Sequence, residues 1–174
     1  MVATQPETHP PGWTVLQVRR IFKAPRELVF RAWIDPELLR QWLNGPGGRS
    51  PHAEVDARVG GEFRITSTSR LGELFAKLPG QDSEFVQMVG RYLEISPPER
   101  LVFTMGWEDF PTVHLNSDAT TVTVEFHETD EGTEVVLTHE RQPNRRIRAF
   151  HRWGWKGSLR KLGRLLAQGA PTSS

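Results

Sequence analysis

Acid–base chemistry in this chain would fall to His139. Counting alternately along Thr133, Val135 and Leu137 puts it on the apolar face of a strand, where an imidazole titrates near neutral pH. A hydrogen-bonded histidine in the wall of a core fits the same position, so a catalytic and a structural role both stand. His127-Glu128 and His139-Glu140 are not followed by a second histidine at helical spacing, which excludes a zinc site of the HExxH kind. The chain has no cysteine, hence no disulfide framework, thiolate nucleophile or thiolate ligand. No serine sits in a nucleophile elbow. Gly60-Gly61 and Gly45-Pro46-Gly47-Gly48 lack the Gly-Lys-Ser/Thr ending of a phosphate loop and read as turns. Nothing in this inventory calls for a metal or a cofactor, and binding without chemistry is the expectation.

The elements that would position these residues follow from periodicity. Trp13 to Lys23 alternates Leu16, Val18, Arg20 and Phe22 on one face and reads as a strand. Two short helices follow, Pro25 to Trp33 and Pro36 to Trp42, each opened by proline and closed by tryptophan, with Asp35 as N-cap of the second. Helices below about 12 residues are marginal alone, so both must lie against a large apolar surface. His52 to Ala57 and Glu62 to Ser67 form a hairpin turned at Gly60-Gly61, with Val55 and Ala57 on one face and Phe63 and Ile65 on another. Leu71 to Leu78 has helical spacing and is expected to form a lid. Phe85 to Ile95 and Leu101 to Trp107 are strands joined at Pro97-Pro98, and either Met88, Gly90 and Tyr92 or Val89, Leu93 and Ile95 turn inward. Thr120 to His127 and Glu134 to Glu140 form the last hairpin, turned at Glu131-Gly132. Ala149 to Gln168 is a long helix with Trp155, Leu159, Leu162 and Leu166 on one stripe. Short links make antiparallel neighbours, and an antiparallel sheet of about seven strands must cover its apolar face. Only the C-terminal helix is long enough, so the fold class is α+β, with the sheet wrapped around that helix and the short helices plugging one end.

One domain over residues 13–168 is expected for 174 residues, between tails at 1–12 and 169–174. Hydrophobic content of 37% and charge of 25% are ordinary for a globular protein. No run of about 18 apolar residues spans a membrane, and the start lacks a signal-peptide pattern, so a cytoplasmic location follows by default. Charge is unevenly placed. Residues 1–140 hold 13 bases against 21 acids, a net of −8, whereas residues 141–174 hold nine bases and no acid. Arg148, Arg152, Lys156, Arg160 and Arg164 repeat at four-residue steps, where like charges repel by roughly 0.2–0.5 kcal/mol per pair. The acidic remainder of the domain, an acidic protein partner or a membrane surface would offset that; nucleic acid is not expected, because no stacking aromatics accompany the bases.

Several motifs occur in order: Phe22-x-Ala24-Pro25, Asp35-Pro36-x-Leu38 with Trp42, Gly60-Gly61-x-Phe63, Gly90-x-Tyr92-x-Glu94-Ile95, Pro97-Pro98-Glu99-Arg100-Leu101-x-x-Thr104, Gly132-Thr133 and Gly154-Trp155. Over residues 14–167 the pattern resembles homologues of the heat-shock-protein-90 ATPase activator, within the SRPBCC (START-like, birch-pollen-allergen-like) superfamily. The resemblance implies a helix-grip fold with an internal cavity between sheet and C-terminal helix. The superfamily includes lipid carriers, polyketide cyclases and co-chaperones, and fold does not fix function. The eukaryotic activators carry a second, N-terminal domain that this chain is not expected to hold, and Ser69 to Phe85 is longer than the pattern leads one to expect.

A cavity of that kind would be walled by Trp33, Trp42, Phe63, Phe103, Trp107 and Trp155, unless these rings simply fill a core. Ile65, Met88, Tyr92, Val122 and Val124 would add to it from the sheet, with His139, and Leu159 and Leu162 from the helix. The expected ligand is a small apolar or amphipathic molecule such as a lipid, with an acidic end held by Arg20, Arg148 or Arg152. Two alternatives stand beside it: a co-chaperone-like interaction with a heat-shock-protein-90-type ATPase, and a cyclase-like enzyme using His139.

Overall fold

Among the described residues, alternating apolar and polar residues become seven strands, and three helices cover one of their faces. The computed structural model describes residues 13–44, 47–68, 85–108 and 115–169. The order is β1 (Thr14–Phe22), α1 (Arg26–Arg31), α2 (Pro36–Trp42), β2 (Arg49–Val55), β3 (Glu62–Thr68), β4 (Phe85–Ser96), β5 (Arg100–Glu108), β6 (Leu115–Thr129), β7 (Gly132–Gln142) and α3 (Arg145–Ala167). All strands join one antiparallel, curved and unclosed sheet in the order β1-β7-β6-β5-β4-β3-β2. The first strand thus pairs with the last, and α3 lies across the apolar face against β1, β7 and α2. This is the α+β helix-grip arrangement expected from the sequence. At 1.5 Å per residue its 23 residues extend about 34 Å. The expected tails at 1–12 and 169–174, apart from Gly169, and the expected lid at 71–78 lie outside the described residues.

Local chemistry explains the boundaries. Asp35 accepts from the Glu37 and Leu38 amides at 2.9 and 3.3 Å, capping α2, whose first residue is Pro36. Pro25, by contrast, occupies the N-cap of α1 itself. Helix α3 begins four residues before its expected start. Asn144 accepts from the Arg146 and Ile147 amides, both at 2.9 Å, and so nucleates a first turn rich in arginine.

Two strand readings need correction or choice. Val55 pairs with Phe63 and Ala53 with Ile65, so these residues share one face; cross-strand partners point the same way, and Ala57 is exposed beyond the strand. On β4, Met88 and Tyr92 turn into the core while Leu93 is 48% exposed. A bulge between Tyr92 and Glu94 then shifts the alternation by one and returns Ile95 to the core side, opposite Leu101.

The β6–β7 turn carries the tightest backbone constraint. Gly132 has φ +129, and a Cβ there would lie 2.2 Å from the Phe22 carbonyl oxygen. The neighbouring Thr133 hydroxyl donates to the Ala24 carbonyl at 2.8 Å, binding the end of β1 to the start of β7. Gly132→Val is therefore expected to destabilise the domain by about 2 kcal/mol or more, from strain at positive φ plus the clash. A denaturant midpoint equal to that of the parent chain would contradict this.

Candidate functional site

Aromatic rings fill most of the space between sheet and helix. Trp33 meets Trp42 edge-on at 4.7 Å between ring centres, and lies parallel to Trp155 at 6.0 Å. The Trp42 indole donates to the Ala32 carbonyl at 2.9 Å. Val122, Val124, Leu159 and Leu162 close the same core and are buried. Phe63, Ile65, Tyr92 and Phe103 line what remains there, a small gap of about 10 Å³. The aromatic residues expected to wall an internal cavity thus divide into a packed set here and a smaller set at one end.

That end is built on a chain of hydrogen bonds with a fixed direction. Trp155 Nε1–H on α3 donates to His139 Nδ1 on β7 at 3.0 Å. An indole only donates, so Nδ1 is the acceptor and the proton sits on Nε2. Nε2–H then donates to Thr120 Oγ1 at 2.8 Å, and the Thr120 hydroxyl donates to the Met105 carbonyl at 2.6 Å. A parallel chain lies beside it. Trp107 Nε1–H donates to His151 Nε2 at 3.0 Å, and His151 Nδ1–H donates to Gln142 Oε1 at 2.6 Å. The two imidazoles stack at 4.6 Å. Both are held neutral. Burial pushes His151 down to about 4; burial, and then the neighbouring His151, hold His139 well below its ordinary value. His139, the candidate acid or base, is fully buried with both ring nitrogens engaged.

Beside this network opens an apolar cleft of about 70 Å³. Met88, Trp107 and Trp155, all expected to line a cavity, border it together with Phe150, His151 and Trp153. Trp153 is 46% exposed and stands at the outer edge. Asn44, at the end of α2, faces the cleft and also accepts from Lys161 Nζ, which donates to the Gly48 carbonyl at 2.7 Å as well. Burial, with the Arg164 charge, lowers the pKa of Lys161.

The three expected anion contacts do not meet at this cleft. Arg148 donates to the Val15 carbonyl at 3.4 Å, and Arg152 is exposed. Arg20 shares the helix-facing side of β1 as counted, yet the strand is at the sheet edge and the side chain is exposed rather than buried. Its guanidinium lies over the Phe22 ring at 5.7 Å and borders a separate groove.

Sequence reasoning missed His151, Gln142, Phe150 and Trp153. His151 lies four residues before Trp155, one turn along the same helical face, so its place was open to counting. Gln142 was not. It is an odd number of residues from His139 and should point outward, but Arg141 has φ +60 and forms a bulge opposite Thr14–Leu16, which turns Gln142 inward. Gln142 Nε2 is buried without a partner among the described residues. Likewise among the described residues, no three His, Asp or Glu side chains converge as metal ligands would, and no helix is long and apolar enough to cross a membrane.

With this geometry in place, the chain is similar to a family described as activator of Hsp90 ATPase homolog 1-like protein, whose profile matches residues 23–167. No curated protein matches. Among solved structures, a Chromobacterium violaceum protein is 27% identical, with 87% of this chain and 96% of that one covered at a TM-score of 0.69. A Silicibacter pomeroyi protein of the same family name is 22% identical, with 89% and 99% covered and a TM-score of 0.72. An Aeromonas hydrophila protein described as similar to that family is 22% identical over 92% and 98%, with a TM-score of 0.69. The latter two bear on the fold alone.

The histidine pair makes stability depend on pH with a definite sign. Both folded values are depressed below 6.5, so the unfolded chain binds more protons. Their contribution is full above about pH 6.5 and is lost as pH falls, through about 4 for His151, with His139 likewise losing its share well below 6.5. The slope reaches about 1.4 kcal/mol per pH unit for each histidine. In Trp155→Phe, His139 Nδ1 loses its donor and gains a free lone pair, so its NMR titration should move up while burial and His151 still hold it below 6.5, with about 1–3 kcal/mol lost at neutral pH. An unmoved titration would refute the assigned direction of the hydrogen bonds.

Proposed function

The chain belongs to the family of activator of Hsp90 ATPase homolog 1-like proteins, and from that premise we propose that it binds a small, mainly apolar molecule at the Trp107–Trp155 cleft. The observation that carries this reading is the convergence of four aromatic side chains on open space beside a buried, fully neutral histidine pair. Apolar walls with a few placed polar groups are the usual composition of a small-molecule site. Asn44 and Ser158 are the polar groups at its wall, beside a His151 ring whose two nitrogens are already engaged. The free volume is below the roughly 150 Å³ that holds benzene in a closed cavity, so a bound ring would leave one edge against exposed Trp153. No arginine borders the cleft. A neutral ligand therefore fits it better than the acidic one expected from the sequence.

A second reading, docking to an acidic protein such as a heat-shock-protein-90-type ATPase, draws support from the family's description and from the bases along α3. It would be favoured if the chain stimulated such an ATPase and Arg152→Glu abolished the effect.

Gly154 gives the cleft reading a clean test. A Cβ at this position meets nothing within 4 Å, and the residue borders the cleft. Gly154→Leu should therefore fold, and gain up to about 1 kcal/mol from helix propensity. Its side chain would occupy the cleft. Phenol and indole are expected to change tryptophan fluorescence saturably in the parent chain, more strongly than benzoate, and to do so weakly or not at all in Gly154→Leu. No saturable response in the parent, or an unchanged response in the variant, would sink the cleft as a binding site.

A further inference from the structure

A second concave region lies on the other flank of α3, where Arg20 and Lys23 of the β1 end face Arg160 and Arg164 across about 410 Å³. We propose that this groove binds a small soluble molecule carrying a phosphate or carboxylate on a short apolar body. Among the described residues the ion pairs involve other arginines, and no described acid forms an ion pair with any of these four cations. Four positive side chains around one hollow repel each other, and Arg160 and Arg164 do so at the i,i+4 spacing on the helix itself. Arg164 is accounted for in part by the negative end of the helix dipole. Arg20, Lys23 and Arg160 have no such account.

The floor supplies the apolar half. Gly163 leaves it bare: a Cβ there would come 3.3 Å from Arg20 Nη2 and 3.7 Å from the Phe22 ring. Phe22 is buried and carries the Arg20 guanidinium over its face, which holds that planar donor fork in place before any ligand arrives. An oxyanion can take two parallel hydrogen bonds from such a fork while its carbon body covers the Phe22 and Gly163 floor. The volume falls within the range of roughly 300–1,000 Å³ usual for small-molecule sites. A hollow of this shape suits a soluble molecule better than the flat face of a membrane.

The test is an NMR titration of the full chain, reading the Gly163 amide and the Arg20 Nε–H. Phenyl phosphate and octanoate should shift both saturably, and added salt should weaken the effect. Phenyl phosphate should bind several-fold more tightly than inorganic phosphate. Arg20→Gln, at an exposed position, should keep the spectrum elsewhere and weaken binding about tenfold. Gly163→Ala should fold and also bind less tightly, because the new methyl displaces the Arg20 fork. The proposal is overturned by an absence of saturable shifts, by equal affinity for inorganic and phenyl phosphate, or by binding unchanged in Arg20→Gln. Binding only to phosphatidylcholine vesicles containing phosphatidic acid, and not to the soluble probes, would overturn it too.

Discussion

An indole N–H donates a hydrogen bond and never accepts one, and two indoles in this protein aim theirs at buried histidines. That asymmetry fixes more than two protonation states. With Nδ1 of His139 committed as acceptor, Nε2 must donate, Thr120 must accept and pass its own proton toward the Met105 carbonyl, and the ring has one orientation left. The chain runs from α3 to β7, β6 and β5, so it sets where the helix sits on the sheet as well as how it is rotated. A one-turn slip of α3 would leave at least one buried donor or acceptor unpaired, at roughly 1–3 kcal/mol each. Apolar packing alone resists such a slip less sharply, because Leu159, Leu162 and Leu166 would find other apolar neighbours.

Large rings then decide where free space can remain. Trp33, Trp42 and Trp155 occupy the middle of the interior and leave a gap of only about 10 Å³ beside Phe63 and Tyr92. Space therefore moves outward to the two flanks of α3. Trp33, two residues beyond α1, and Trp42, the last residue of α2, fix the short helices in place. Neither α1 nor α2 is stable alone, and each anchors itself by delivering a ring, Trp33 or Trp42, to the stack that meets Trp155.

Most of the architecture was legible because burial on one face imposes a period that counting recovers. β7 is the clearest case: Thr133, Val135, Leu137 and His139 alternate, and all four are buried. Counting fails where the period breaks. The bulges at Glu94 and Arg141 each insert one residue, and neither bears glycine as a signal; Arg141 adopts φ +60 with its guanidinium over the Trp13 ring at 4.9 Å. So Ile95 and Gln142 face inward against the expected parity. Candidate-site residues were harder to read for a different reason. Periodicity says which side of a strand is apolar, but whether Phe103 fills a core or borders a void depends on the summed volume of its neighbours, which no local pattern encodes. Arg20 shows the complementary limit: its face was counted rightly, but its exposure depends on β1 being an edge strand, which is a fact of topology.

The glycines of α3 link the helix to both open flanks. Gly154 and Gly163 are nine residues apart, which at 3.6 residues per turn is two and a half turns, so they face opposite sides of the helix. Each costs helix propensity of about 1 kcal/mol relative to alanine; a side chain at Gly154 would enter open space at the cleft, whereas one at Gly163 would press on Arg20 and Phe22 at the edge of the groove. The hollows differ in chemistry because the sheet elements facing them differ. Toward β4 and β5 the helix meets Met88 and Trp107, and the cleft is apolar. Toward the end of β1 it meets Arg20 and Lys23, and the groove is positive. Spreading like charges along a helix that also buries an apolar stripe is unfavourable for folding taken by itself. It becomes intelligible when the two flanks serve different ligand chemistries, one neutral and one anionic, with the tryptophan–histidine network holding the helix between them.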